Sequence, residues 1–215
     1  MSKLIVLEGL DGSGKSTQME LLQRNAAGVV FRHIKLPDYD SPACSPVKMY
    51  LGGELGGSPA DVNAYAASSF YAVDRYVSYS TKWREIYERG ELFLADRYTS
   101  SNAYHQMVKL PRKEWDGFLA WLEDYEHEKL GLPRPDLVIY LDMPIKVSQA
   151  LMKKREELDI HEKDIPYLLA CRKAAMYAAE KWGWRVVSCG AGSQALPIEN
   201  IAGEIWQCVS EVLEC

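Results

Sequence analysis

The sequence predicts an α/β fold, a mostly parallel sheet covered by helices on both faces. Two observations predict it. Short apolar runs of strand length alternate along the chain with longer segments of helical pattern. A glycine-rich turn sits between the first such run and the first helix. No long low-complexity linker divides the 215 residues, so residues 1–215 are read as one domain.

The elements follow in order. Residues 3–7 carry Ile5 and Val6 in a run consistent with a buried strand, and the glycine-rich turn covers 9–14. Residues 15–24 read as a helix with Met19 and Leu22 on one side. Residues 29–34 are the second strand candidate. Proline, serine and aspartate make 37–46 a loop, and 47–55 a short helix stopped by Gly56, Gly57, Ser58 and Pro59. Asp61 is placed as the cap of the next helix, whose pattern continues, with room for a break, to Arg89 and stops at Gly90. Residues 91–95 form a strand immediately before Asp96 and Arg97. Residues 115–130 read as a helix ended by Gly131, Pro133 and Pro135. Residues 136–141 are a buried strand by composition, 145–155 and 165–181 are helices, 184–188 is the last strand and 198–213 the final helix. Trp182 and Trp184 are read as packing residues.

Acidic residues number 30 against 25 basic, a net charge of -5. That balance argues against bulk binding to nucleic acid or anionic lipid, but permits a small basic pocket. The sequence starts without a basic region and long apolar run, and carries no stretch long enough to cross a bilayer. A soluble, cytoplasmic protein is expected. Five widely spaced cysteines make neither a disulfide framework nor a zinc knuckle, and are read as reduced packing thiols. The four histidines, His33, His105, His127 and His161, suggest no metal cluster.

The strongest signal is Gly9-Leu-Asp-Gly-Ser-Gly14-Lys15-Ser16-Thr17, the full Walker A pattern, between a strand and a helix. Gly9, Gly12 and Gly14, with Ser13, let backbone N–H groups converge on phosphate oxygens. The following helix aims its positive end at the same charge. Lys15 can reach the terminal phosphates, Ser16 can join a Mg2+ shell and Thr17 can contact an inner phosphate. GTPases, DNA motors and small kinases all use this device, so the acceptor must be read elsewhere. Asp11 lies inside the loop, where an anion needs a donor, a metal or a sugar hydroxyl beside it. Arg97 follows the end of a strand, the expected edge of a site in an open α/β sheet, and with Arg75 it could grip a phosphate. Asp96 stands where an acidic group can lie near Mg2+. The charged run from Lys153 to Glu162 is read as a mobile basic lid or as a solvated helix junction.

Together these residues resemble the thymidylate kinases, a family of P-loop nucleoside-monophosphate kinases. Four blocks carry the resemblance: 8–17, 70–75 (Phe-Tyr-Ala-Val-Asp-Arg), 96–102 (Asp-Arg-Tyr-Thr-Ser-Ser-Asn) and 136–142 (Asp-Leu-Val-Ile-Tyr-Leu-Asp). The resemblance implies a P-loop NTP hydrolase-like three-layer α/β/α fold with a five-stranded parallel sheet, a homodimer, and a lid near 152–164. It implies transfer of the terminal phosphate of ATP to dTMP with Mg2+. Asp11 would contact the sugar 3'-hydroxyl or the phosphate network, and Pro37 and Tyr39 would lie at the acceptor pocket. Tyr71 would be the platform for thymine, Arg75 would reach its O4, Asn102 would stand beside the base, and Arg97 would hold the acceptor phosphate. His105 stands where several members have Tyr or Phe against the sugar, and Leu36 replaces a usual aromatic. The loop lacks the arginine of one family variant, so the lid's Arg155 is the candidate for stabilising the transferred charge. A kinase for another nucleoside monophosphate or a deoxynucleoside is the alternative, and a non-kinase P-loop module a more distant one. A hydroxyl acceptor would need a base, for which Glu8 is the nearby carboxylate. The guanine-reading Asn-Lys-x-Asp sequence of GTPases is missing.

Overall fold

A computed structural model describes residues 2–26, 28–152, 161 and 164–214. The apolar runs become five strands, β1 (Lys3–Glu8), β2 (Phe31–Lys35), β3 (Leu92–Asp96), β4 (Leu137–Asp142) and β5 (Arg185–Ser188). They form one sheet in the order β2-β3-β1-β4-β5, with every neighbouring pair parallel. The central strand β1 buries Leu4, Ile5, Val6 and Leu7 completely, because successive side chains point to opposite, helix-covered faces.

Nine α-helices flank the sheet among the described residues: α1 (Lys15–Asn25), α2 (Ser45–Leu51), α3 (Ala64–Ser78), α4 (Arg84–Glu88), α5 (Ser100–His105), α6 (Trp115–Glu123), α7 (Ile145–Met152), α8 (Ile165–Trp182) and α9 (Ile198–Leu213). On one face Leu4, Val6, Phe93 and Tyr140 pack with Tyr104, Phe118, Leu122 and Cys171 from α5, α6 and α8. On the other, Ile5, Leu7, Leu94 and Ile139 pack with Met19 and Leu22 of α1 and Ile201, Ile205 and Val209 of α9. Burying each such large side chain contributes about 1.5–3 kcal/mol. Trp182 and Trp184 pack ring to ring, with centroids 5.8 Å apart. Cys44, Cys171 and Cys189 are buried free thiols.

Several expectations shift. The cap of α3 is Asn63, whose side chain accepts from the Ala66 N–H at 2.9 Å, and not Asp61. Asp61 instead closes a capping box with Ser58 around a single 3-10 turn, Pro59–Asp61. The long pattern to Arg89 is broken by a π-helical turn, Tyr79–Trp83. A second π-helical turn, Asp124–Lys129, extends α6. The short helix expected over 47–55 is α2, which ends at Leu51 ahead of Gly52 and Gly53. α5 was absent from the sequence expectation, as was a small hairpin of Gly190–Ala191 with Gln194–Ala195. Residues 153–155 of the helix expected over 145–155 lie outside the described residues. No described helix is long and apolar enough to cross a membrane.

Candidate active site

β1 runs directly into the phosphate loop, and the loop into α1. Gly14 caps α1 with a φ of 89°, and Gly12 has a φ of 74°, both in the left-handed region that favours glycine. Space matters at Gly12 as well: a Cβ there would lie 2.8 Å from the Ser148 carbonyl oxygen and 2.9 Å from Met152. The Ser13 N–H donates to the Leu10 carbonyl at 3.1 Å, and the buried Ser13 hydroxyl has no hydrogen-bond partner among the described residues. Lys15 folds back over the loop, donating to the Gly9 carbonyl at 2.8 Å and the Leu10 carbonyl at 3.4 Å. Burial, reinforced by the charge of Arg97, pushes its ammonium down to about 8 against the pull of Asp11 and Asp96. Ser16 and Thr17 are exposed in the first turn of α1.

The neighbouring strand supplies the second half. Leu7 of β1 lies opposite Asp96 of β3, and the Arg97 N–H donates to the Leu7 carbonyl at 3.1 Å. Arg97 is the one non-glycine described residue at positive φ, 70°. Such a backbone costs an ordinary residue about 1–2 kcal/mol and clusters at functional sites. Its fork donates to Asp11 at 2.7 Å and to the Tyr104 hydroxyl at 3.1 Å. Burial opposes ionisation of Asp11, but Arg97 and then Lys15 outweigh it and hold the carboxyl below its usual range. Asp96 is buried, and its Oδ1 has no partner among the described residues.

A cleft opens beside this pair. All eight expected acceptor-side residues line it: Asp11, Pro37, Tyr39, Tyr71, Arg75, Arg97, Asn102 and His105. They come from the phosphate loop, from the loop after β2, from α3, from the end of β3 and from α5. The two arginines do not form one clamp. Arg75 is committed to Glu126 through paired bonds of 2.6 Å, whereas Arg97 stands on Asp11. His105 is buried with its ring stacked on His161, centroids 5.4 Å apart. Burial, then Arg97 and His161, push it well below its usual range, so it presents a neutral ring near pH 7. Arg155 lies outside the described residues.

Sequence reasoning missed four lining residues, Leu51, Ser101, Gln106 and His161, and the carboxylate behind them, Glu126. Glu126 had a readable signal: it continues the buried stripe of Leu119 and Leu122 at helical spacing, where a charge is unusual. Glu8 is placed differently from a free base. It is fully buried and accepts from the Tyr98 N–H, the Ser100 and Ser101 hydroxyls and the Tyr104 hydroxyl, at 2.7–3.1 Å.

A Walker loop joined at adjacent strand ends to a second, arginine-edged cleft defines a P-loop phosphotransferase with a small acceptor. Comparison with known proteins narrows the class. The family model described as Thymidylate kinase matches residues 7–195. A thymidylate kinase of Mycobacterium tuberculosis is 30% identical over 200 residues, covering 87% of this chain and 91% of its own. One from Thermomicrobium roseum is 29% identical over 227 residues, covering 100% and 97%. A solved thymidylate kinase structure from Candida albicans shares the fold with a TM-score of 0.71 at 20% identity, covering 98% of this chain and 92% of that one. The chain belongs to the thymidylate kinase family.

Proposed function

We propose that the loop holds ATP and the adjoining cleft holds dTMP, so that the terminal phosphate passes directly between them. Family membership makes the reaction ATP plus dTMP giving ADP plus dTDP. The observation that carries this division of parts is Arg97, standing on Asp11 where loop and cleft meet. In this reading Gly9, Gly12, Ser13, Gly14 and Thr17 cradle the ATP phosphates, and Lys15 draws the transferred group. Arg97 holds the dTMP phosphate, Asp11 orients Arg97 and meets the sugar hydroxyl, and Tyr71 stacks on the base. Pro37, Tyr39 and the neutral ring of His105 wall the pocket, while Arg75 and Asn102 face the base edge. Arg155, outside the described residues, is assigned to supply charge to the transferring phosphoryl group from the lid read near 152–164 of one nucleotide-kinase domain.

The nucleophile is a phosphate oxygen of dTMP. A phosphomonoester has a second pKa near 6, so it is already anionic at pH 7 and needs no base. Catalysis then comes from alignment and charge stabilisation. The commitment of Glu8 to four protein donors supports this over a hydroxyl acceptor. Mg2+ fits the site chemically: the Ser16 hydroxyl and the Asp96 carboxylate are hard oxygen donors, and Asp96 keeps an oxygen without a protein partner among the described residues. When bound, the ion neutralises charge across the phosphate oxygens.

The enzyme is further proposed to work as a cytoplasmic homodimer. Supporting this, α3 leaves Tyr65, Val73 and Tyr76 exposed along one stripe, an apolar face suited to a second copy. Sedimentation showing only a 24.3 kDa species would remove that assignment. The reaction itself is tested by coupled ADP release on dTMP, dUMP, UMP, CMP, AMP, GMP and thymidine. Preferred turnover of dTMP is expected; turnover of thymidine without dTMP would overturn the reading.

A further inference from the structure

Arg75 and Asn102 both line the cleft, and a single carboxylate that is not part of its lining holds both. Glu126 is fully buried in the π-helical turn after α6. Its Oε2 accepts from Arg75 Nε at 2.6 Å, and its Oε1 accepts from Arg75 NH2 at 2.6 Å and from Asn102 Nδ2 at 3.0 Å. Asn102 Nδ2 also donates to the Ser68 carbonyl at 3.2 Å. A carboxylate and a carbonyl have no proton to give, so only the NH2 end of the Asn102 amide can face them. Flipping the amide would set its oxygen against two acceptors. Both amide hydrogens are thus committed, and the group left for a ligand is Oδ1, an acceptor. Arg75, after Glu126 and the Tyr98 carbonyl at 3.3 Å from NH1, has only N–H hydrogens left to offer.

We propose that Glu126 is a positioning residue that sets the base preference of the cleft, by holding Arg75, a donor in any orientation, in place and by turning the acceptor end of Asn102 toward the ligand. This rests on the dTMP reading above. Thymine and uracil present a carbonyl oxygen, O4, beside a protonated N3, an acceptor next to a donor. That edge complements the fixed pair. Cytosine presents an amino group beside an unprotonated N3, so it meets donor with donor and acceptor with acceptor. Glu126 also balances the charge of Arg75 inside the protein. The base edge is then read by hydrogen-bond pattern, and the pull on the acceptor phosphate is left to Arg97.

The test uses dTMP as reference substrate with dUMP and dCMP, which both lack the 5-methyl group and differ only at this edge. Steady-state kinetics are measured on the wild type, Glu126→Gln and Glu126→Asp, alongside thermal melts. Glu126→Gln leaves a buried guanidinium without its counter-charge. Glu126→Asp keeps the charge and draws the carboxylate back from Asn102, and serves as the second arm should the first not fold. The wild type is expected to favour dUMP over dCMP in kcat/KM by at least about a hundredfold. Either folded variant is expected to lower that ratio by about tenfold or more, through KM for the pyrimidine nucleotide, with KM for ATP unchanged. A merely structural role would lower both substrates together. A wild type that accepts dCMP as readily as dUMP, or variants whose ratio stays within about twofold of the wild type, overturns the proposal. A wild type without dTMP turnover overturns the parent reading instead.

Discussion

Glu8→Gln separates the two kinds of kinase this site could serve. Glutamine has nearly the volume of glutamate and keeps one carbonyl oxygen. In the protein Oε1 accepts from the Tyr98 N–H and both serine hydroxyls, while Oε2 accepts from Ser101 and Tyr104. A Gln oxygen in the Oε1 position keeps its three donors, and its NH2 group forces Tyr104 and Ser101 to turn their hydroxyls. Bonds to a charged acceptor contribute about 1.5–3 kcal/mol and neutral ones about 0.5–1.5, so each of several bonds weakens by roughly 1 kcal/mol. A neutral side chain is easier to bury, which returns part of the loss. We expect a net loss of about 2–3 kcal/mol, and a Tm lower by about 5–10 °C for a chain of this size. Tyr104 also accepts from Arg97, so turnover of dTMP should fall, but by less than about tenfold, because no base is removed. Thermal melts and coupled ADP release measure the two effects on one preparation. Removing a general base would cost about a hundredfold to ten-thousandfold. A folded Glu8→Gln protein with a loss of that size would refute the scaffold role assigned to Glu8.

Further outcomes follow from the loop. Gly12→Ala should weaken ATP binding and lower Tm more than Gly14→Ala, since both have positive φ but only at Gly12 would the Cβ strike backbone, at 2.8 Å. Equal losses by calorimetry would refute the clash. Lys15 titrates near 8 in the fold, against 10.5 unperturbed. Between these values the unfolded chain binds the extra proton, so the contribution of Lys15 to stability rises with pH across that window. Lys15→Met should flatten the rise in urea-denaturation profiles; superimposable profiles would exclude it. ATP affinity should move the other way, falling above about pH 8 as the ammonium is lost, and a pH-independent Kd over 7–9.5 would refute that.

Much of this was legible because its signals are local. The Walker string fixes its own strand and helix, and the five strands announce themselves as apolar runs within a residue or two of their observed ends. Five of the eight acceptor-side residues, Asp11, Tyr71, Arg75, Arg97 and Asn102, sit in the motif blocks, while Pro37, Tyr39 and His105 were reached only through the family resemblance; the fold does bring all eight to one cleft. What was not legible depends on contacts distant in sequence. Glu126 meets Arg75 across 51 positions, and as a glutamate in a helical stretch it reads as solvated until its place on the Leu119–Leu122 stripe is noticed. Glu8 was visible as a carboxylate at a strand end, but its four donors lie 90–96 positions away. Asp61 and Asn63 are both good caps, and only the turn at Pro59–Asp61 decides between them. π-Helical turns insert a residue without changing composition, so α3 and α6 looked longer and more regular than they are.

The pairing of Leu7 with Asp96, closed by the Arg97 N–H on the Leu7 carbonyl, has a consequence for how such an enzyme can diverge. In the proposed reading, the ladder sets the spacing of the two strand ends from which Lys15 and Arg97 reach the phosphates, about 4.8 Å from strand to strand. The residues proposed to read the base hang from α3, α5 and the loop after β2, away from that ladder. Base preference can therefore drift, or be engineered, while the reacting groups stay in register. A one-residue insertion at the end of β1 or β3 should do the reverse, leaving both nucleotides bound and out of line.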